Sequence, residues 1–152
     1  MAKVEKDTLI QVPVTRAYEI WTNFPAFPNF MKNVRSVDQD GKALHWIADV
    51  RGRREEWDAE ITEQVADRLV SWKSTSGVQN NGTVRFEPEG EATRVHVTIE
   101  YERSPLEAVG DTLLHVVARE VTEDLDNFKR YAEMGEPVIG RRAETLSETT
   151  GT

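Results

Sequence analysis

Few side chains in this sequence combine a chemically useful type with an inward placement. Asp124 falls near the middle of the apolar side of a long helical pattern close to the C-terminus. A carboxyl group turned into an apolar interior loses hydration, and its pKa rises towards the range where acid–base work is efficient. The commoner role of such a group is structural, a hydrogen bond or ion pair tying helix to sheet. Tyr101 and Ser74 alternate inward on their strands and could orient the hydroxyl or carbonyl of a ligand, although a half-buried tyrosine often only anchors a core. Arg53 and Glu55 share the parity of Trp57 and either reach a pocket mouth or solvate a strand end; the second is expected. His45, His96 and His115 turn to the polar sides of their elements and show no metal spacing. Without cysteine, disulfides, thiolate metal sites and cysteine nucleophiles are excluded. There is no glycine-rich phosphate loop and no serine elbow, so neither a metal nor a cofactor is expected.

The apolar candidates are more numerous than the polar ones. Trp46, Trp57, Trp72 and Phe86 lie in mid-strand positions and offer flat faces for ring stacking, or simply form the core. Val70 and Val97 share their inward faces. Phe30 and Met31 follow a proline-rich break and are expected near one mouth of a cavity, where methionine adapts to varied shapes. Leu113, Val117 and Val121 would close the space from the helix side.

Those residues need a scaffold, and the pattern supplies one. A first strand over about Val4–Val12 ends at Pro13. A short helix follows over about Thr15–Asn23, with Thr15 as N-cap, and Pro25 and Pro28 break the chain before a second short helical piece through Met31. Asp40-Gly41 reads as a hairpin turn between Val34–Asp38 and Lys42–Val50. From Arg53 to Glu63, Trp57, Ala59 and Ile61 alternate with Glu56, Asp58 and Glu60, so one face is buried and the other wet. Arg68–Ser74, Thr83–Pro88 and Thr93–Glu102 follow, with Asn80-Asn81-Gly82 read as a turn. Ser104-Pro105-Leu106-Glu107 reads as a capping box that opens a long amphipathic helix, and Gly135 reads as its C-terminal cap. The fold class is α+β: a curved antiparallel sheet of about six to seven strands around a long C-terminal helix, with two short helices after the first strand. A single helix cannot cover the whole concave face of such a sheet, which leaves a space to be filled by aromatic side chains or by a guest.

The whole-chain numbers fit that picture. The 152 residues suit one domain, expected over 1–134, followed by a polar, disordered tail over 135–152. With 27 acidic against 19 basic residues, net charge −8, a nucleic-acid partner or an anionic membrane surface is not expected. No apolar run approaches a membrane span, the N-terminus does not read as a signal peptide, and a cytoplasmic protein is expected, as monomer or homodimer. The acidic outer face (Glu56, Asp58, Glu60, Glu63) could serve a protein partner, but charged outer strands are ordinarily just solvated.

The order of elements and several local motifs resemble the polyketide cyclase/dehydrase and lipid-transport family, part of the helix-grip superfamily that includes START domains and birch-pollen-allergen-like proteins. The resemblance is carried by Val12-Pro13-Val14 leading into Tyr18-Glu19-Ile20-Trp21, by Phe24-Pro25 through Met31, and by Trp57-Asp58-Ala59-Glu60-Ile61. Val70-Ser71-Trp72-Lys73-Ser74, Asn81-Gly82-Thr83-Val84-Arg85-Phe86, Thr93-Arg94-Val95 and Asp124 to Lys129 extend it across residues 3–134. It implies a cavity that binds or carries a hydrophobic small molecule, aromatic, polyketide-like or lipid-like. The alternative it implies is an aromatase/cyclase performing ring closure and dehydration, for which Asp124 and Tyr101 are the candidate acid–base groups. One fold hosts many functions, so the fold is the firmer implication.

Overall fold

The computed structural model describes residues 2–50, 52–77, 79–101 and 111–135. In chain order it holds β1 (Ala2–Ile10), α1 (Val14–Thr22), a 3-10 helix (Phe24–Asn29), β2 (Val34–Asp40), β3 (Ala43–Val50), β4 (Arg53–Val65), β5 (Leu69–Ser76), β6 (Asn80–Glu89), β7 (Ala92–Tyr101) and α2 (Asp111–Met134). The strands form one antiparallel sheet in the order β1-β7-β6-β5-β4-β3-β2. The four hairpins between β3 and β7, and the one from β2 to β3, run between sequence neighbours. Only β1 crosses over to pair with β7, so the two short helices span the sheet from its first edge to its last.

Alternation sets the faces. In β4, Ala59 and Ile61 are buried while Asp58 and Glu60 are exposed. The outer face carries paired charges: His45 Nδ1 lies 2.7 Å from Asp58 Oδ1, and Ser76 Oγ donates to Asp58 Oδ2 at 2.8 Å. Asp58 holds the His45 imidazole above its ordinary pKa, chiefly through that hydrogen bond. His96 likewise faces Asp7 and Glu87 across neighbouring strands.

Two sequence expectations change. Thr15 is not the cap of α1: the helix starts after Pro13, and Thr15 Oγ1 donates instead to Asp67 Oδ2 at 2.9 Å, tying α1 to the β4–β5 turn. Asn80-Asn81-Gly82 is not a turn but the start of β6, paired with Tyr101, Glu100 and Ile99 on β7. Gly82 is there because the Trp72 indole lies across it; a Cβ at position 82 would stand 2.5 Å from the Trp72 ring and 2.8 Å from the Thr98 carbonyl oxygen. Asn-Gly marks turns because both residues tolerate unusual backbone angles, yet here the glycine serves a close approach.

Helix α2 lies on the concave face, fastened at its C-terminal end. Lys129 Nζ donates to the Leu9 carbonyl at 2.6 Å, and the Gln11 N–H donates to Glu133 Oε2 at 2.7 Å. Gly135, at φ +74°, ends the helix as expected, its N–H donating to the Tyr131 carbonyl at 2.9 Å. The expected capping box Ser104–Glu107 and the tail after Gly135 lie outside the described residues.

Candidate functional site

The interior is solid at one end of α2 and hollow towards its middle. At the solid end, Phe128 packs edge-on against Trp21 with ring centroids 4.7 Å apart, and Phe30 is wedged between Phe27, Phe128 and Tyr131 at 5.1, 5.4 and 5.2 Å. In the 3-10 helix residues three apart eclipse each other, so Phe24, Phe27 and Phe30 make one aromatic ridge. Phe27 then touches Trp46 at 5.6 Å, and beyond this contact the packing opens.

The opening is a cavity of about 190 Å³. Its sheet wall is built by Leu44 and Trp46 on β3, Trp57 on β4, Trp72 on β5 and Val97 and Ile99 on β7. Trp21, Phe24 and Phe27 close it from the short helices, with Met31 and Val34 beside them. Val121, Asp124 and Leu125, spaced i, i+3 and i+4 on one face of α2, form the roof. Trp46 and Trp57 are directly opposed on β3 and β4 and stack with planes 5° apart. The Trp72 Nε1–H donates to Asn80 Oδ1 at 3.0 Å, whereas Nε1 of Trp46 is buried with no hydrogen-bond partner among the described residues.

Asp124 and Asn80 bring the polar side chains to an otherwise apolar and aromatic wall. Among the described residues Asp124 makes no hydrogen bond and no ion pair. Burial, followed by the charges of Glu120 and Glu123 on the same helix, pushes its carboxyl up to about 7, while Lys32 acts in the opposite sense. Lys32 itself is engaged by Glu123 at 3.0 Å. A lone carboxyl group that exchanges its proton near neutrality can act as acid, base, hydrogen-bond donor or counter-ion.

The candidates from the sequence separate into distinct places. Met31, Trp46, Trp57, Trp72, Val97 and Val121 come together around the cavity with Asp124. Phe30, Val70 and Phe86 do not line it: Phe30 and Val70 are fully buried in packed core, and Phe86 packs edge-on against Tyr18 at 5.5 Å. Tyr101 is buried but away from the wall, paired with Ala2 and Asn80. The Ser74 hydroxyl is occupied at the β5–β6 turn, accepting the Asn80 N–H at 3.0 Å. Arg53 is exposed at the start of β4, and Glu55 is half-buried beside it, both off the cavity. The side chains of Leu113 and Val117 lie outside the described residues. Sequence reading passed over Trp21, Phe24 and Phe27. Their signal was present as aromatics at three-residue spacing around Pro25 and Pro28, the period of a 3-10 helix.

A curved antiparallel sheet gripping a C-terminal helix over an apolar hollow defines the helix-grip class, and its solved neighbours share that architecture. The family model described as polyketide cyclase / dehydrase and lipid transport matches residues 1–133, and the chain belongs to that family. It is 39% identical over 137 residues to an uncharacterized 17.2 kDa protein of Streptomyces lincolnensis, covering 88% of this chain and 91% of that one. A START superfamily protein from Mycobacterium smegmatis superposes with a TM-score of 0.77 at 12% identity, over 87% of this chain and 97% of the other. The Zhui aromatase/cyclase from a Streptomyces species gives 0.74 at 16% identity, over 87% and 93%. Likeness at such identities establishes the fold and leaves activity to the site. No helix among the described residues is long and apolar enough to cross a membrane.

Proposed function

We propose that the protein binds or carries a small hydrophobic molecule in the cavity between sheet and α2. The observation that carries this reading is the hollow itself. A close-packed interior holds few voids larger than a water molecule, yet here about 190 Å³ stays open among large aromatic side chains. An apolar cavity of roughly 150 Å³ is enough to hold benzene, so the space suits a guest of one or two rings. The proposed contacts are Trp46, Trp57, Trp72, Met31, Val97 and Val121, joined by Trp21 and Phe27. The acidic balance of the chain suits a cytoplasmic setting. Native mass spectrometry of the protein purified from its source organism tests the reading: an apolar mass that co-purifies and is lost on denaturation is expected, and a bare chain that also ignores added aromatic ligands would count against it.

A second reading, an aromatase/cyclase, is favoured by one observation, the Asp124 carboxyl in the cavity roof with a pKa pushed up to about 7. There Asp124 would shuttle protons during ring closure and dehydration. Asp124→Asn should then abolish turnover of a cyclisable substrate while binding persists; unchanged turnover would remove the reading.

A further inference from the structure

We propose that the cavity selects small aromatic amines, the ring lodging among Trp46, Trp57 and Trp72 and the ammonium pairing with the Asp124 carboxylate. This rests on the ligand-binding reading above and adds the chemical class of the guest.

The inference starts from what Asp124 lacks. Its carboxyl is partly buried on the roof of an apolar cavity, and among the described residues no cation bonds to it. The cation facing this part of α2 from the neighbouring segment is Lys32, which Glu123 holds at 3.0 Å. Glu120 and Glu123 lie within one turn of Asp124 and together outweigh Lys32 in their effect on it, while Arg119 acts on Glu120. The local field is therefore negative, and a carboxylate in poor solvent gains most from a cation brought into contact. The second component is the wall. Indole faces offer flat apolar surface to an aromatic ring, and three indoles from adjacent strands line the same hollow. A neutral ring would gain only the apolar and stacking contacts, whereas an amine adds the ion pair. Size completes the description, since about 190 Å³ leaves room for one or two rings on a short arm and not for a long acyl chain.

The sign of the pH dependence follows. A cationic guest requires ionised Asp124, so its affinity is highest above about pH 7 and falls as Asp124 takes up a proton. A guest that accepted a hydrogen bond from the neutral acid would show the reverse.

Calorimetric titration with 2-phenylethylamine and with its neutral isostere 2-phenylethanol tests the proposal, using the full chain and Asp124→Asn at about pH 5.5 and about pH 8.5. In the wild type at the higher pH the amine should bind at least about tenfold tighter than the alcohol, and at the lower pH that preference should shrink by about tenfold. In Asp124→Asn the preference should vanish while the alcohol binds as before. If the alcohol binds and the amine shows no advantage, or Asp124→Asn keeps the advantage, the amine selectivity is wrong and the cavity is a site for neutral rings. If neither probe binds the wild type at either pH, the ligand-binding reading falls together with this one.

Discussion

Trp46 and Trp57 face each other across the β3–β4 ladder, and their indoles stack 5.8 Å apart with planes 5° from parallel. Opposed cross-strand aromatics stabilise a sheet, but this pair also walls the cavity, so one contact serves both fold and site. The pair links the strand register directly to the shape of the hollow.

Trp57→Ala should therefore act on both. Stability should drop by about 1–3 kcal/mol, since the side chain is half-buried and its removal strips one face of Trp46. Affinity for a one-ring probe should fall by about tenfold or more, because the guest loses a stacking surface. Urea unfolding and probe titration check the two effects, and a variant that loses stability but binds unchanged would place Trp57 in the scaffold alone.

Gly82→Ala tests the close approach of Trp72. A methyl group 2.5 Å from that ring and 2.8 Å from the Thr98 carbonyl forces the indole off the strand. Destabilisation of about 1–3 kcal/mol and altered tryptophan fluorescence are expected. An alanine variant with native stability and an unchanged spectrum would mean that the ring yields freely.

The Asp124 carboxyl makes stability depend on pH in a defined direction. Its pKa is raised from the ordinary 3.8 to about 7, so the folded state holds this proton more tightly than the unfolded chain does. Its contribution is most favourable below pH 4 and is lost progressively as pH rises to about 7, with little change beyond. Relative to Asp124→Asn, the wild type should lose on the order of 2–4 kcal/mol across that window. Unfolding free energies of the two proteins measured in parallel check this, and a difference that is flat with pH would mean that Asp124 is well solvated or paired.

Thr93 separates fold from site. It is fully buried, and its hydroxyl donates to the Val12 carbonyl at 2.8 Å, fixing the chain between β1 and α1. Thr93→Val keeps the shape but orphans that carbonyl, at an expected cost of about 1–3 kcal/mol. Ring-probe affinity should stay at the wild-type value, because Thr93 does not line the cavity.

Much of the framework was legible from period alone. Trp57, Ala59 and Ile61 alternated with acidic residues as a half-buried strand must, and Gly135 stood where a helix needs a left-handed cap. Asp124 could be found because a carboxylate on an apolar helical face is conspicuous. The extent of the hollow was not legible. Alternation places Phe86, Val70 and Trp72 on the concave face alike, but which stretch of that face is left uncovered depends on where α2 and the 3-10 helix come to rest. Phe30 illustrates the limit: beside Met31 in sequence, it fills the core between Phe27 and Phe128, while Met31 faces the cavity. The strand start at Asn80-Asn81-Gly82 was hidden for a similar reason, since the need for glycine comes from Trp72 on another strand.

The hollow can be tested most directly through methyl groups. With methyl-labelled protein and a neutral one-ring probe, NMR should show shifts at Leu44, Val97, Ile99, Val121 and Leu125, which line the cavity. Val70, Val84, Val95 and Ile10, fully buried in packed core, should stay still. Silence at the first group, or equal shifts in both, would contradict a preformed ligand cavity between the sheet and α2.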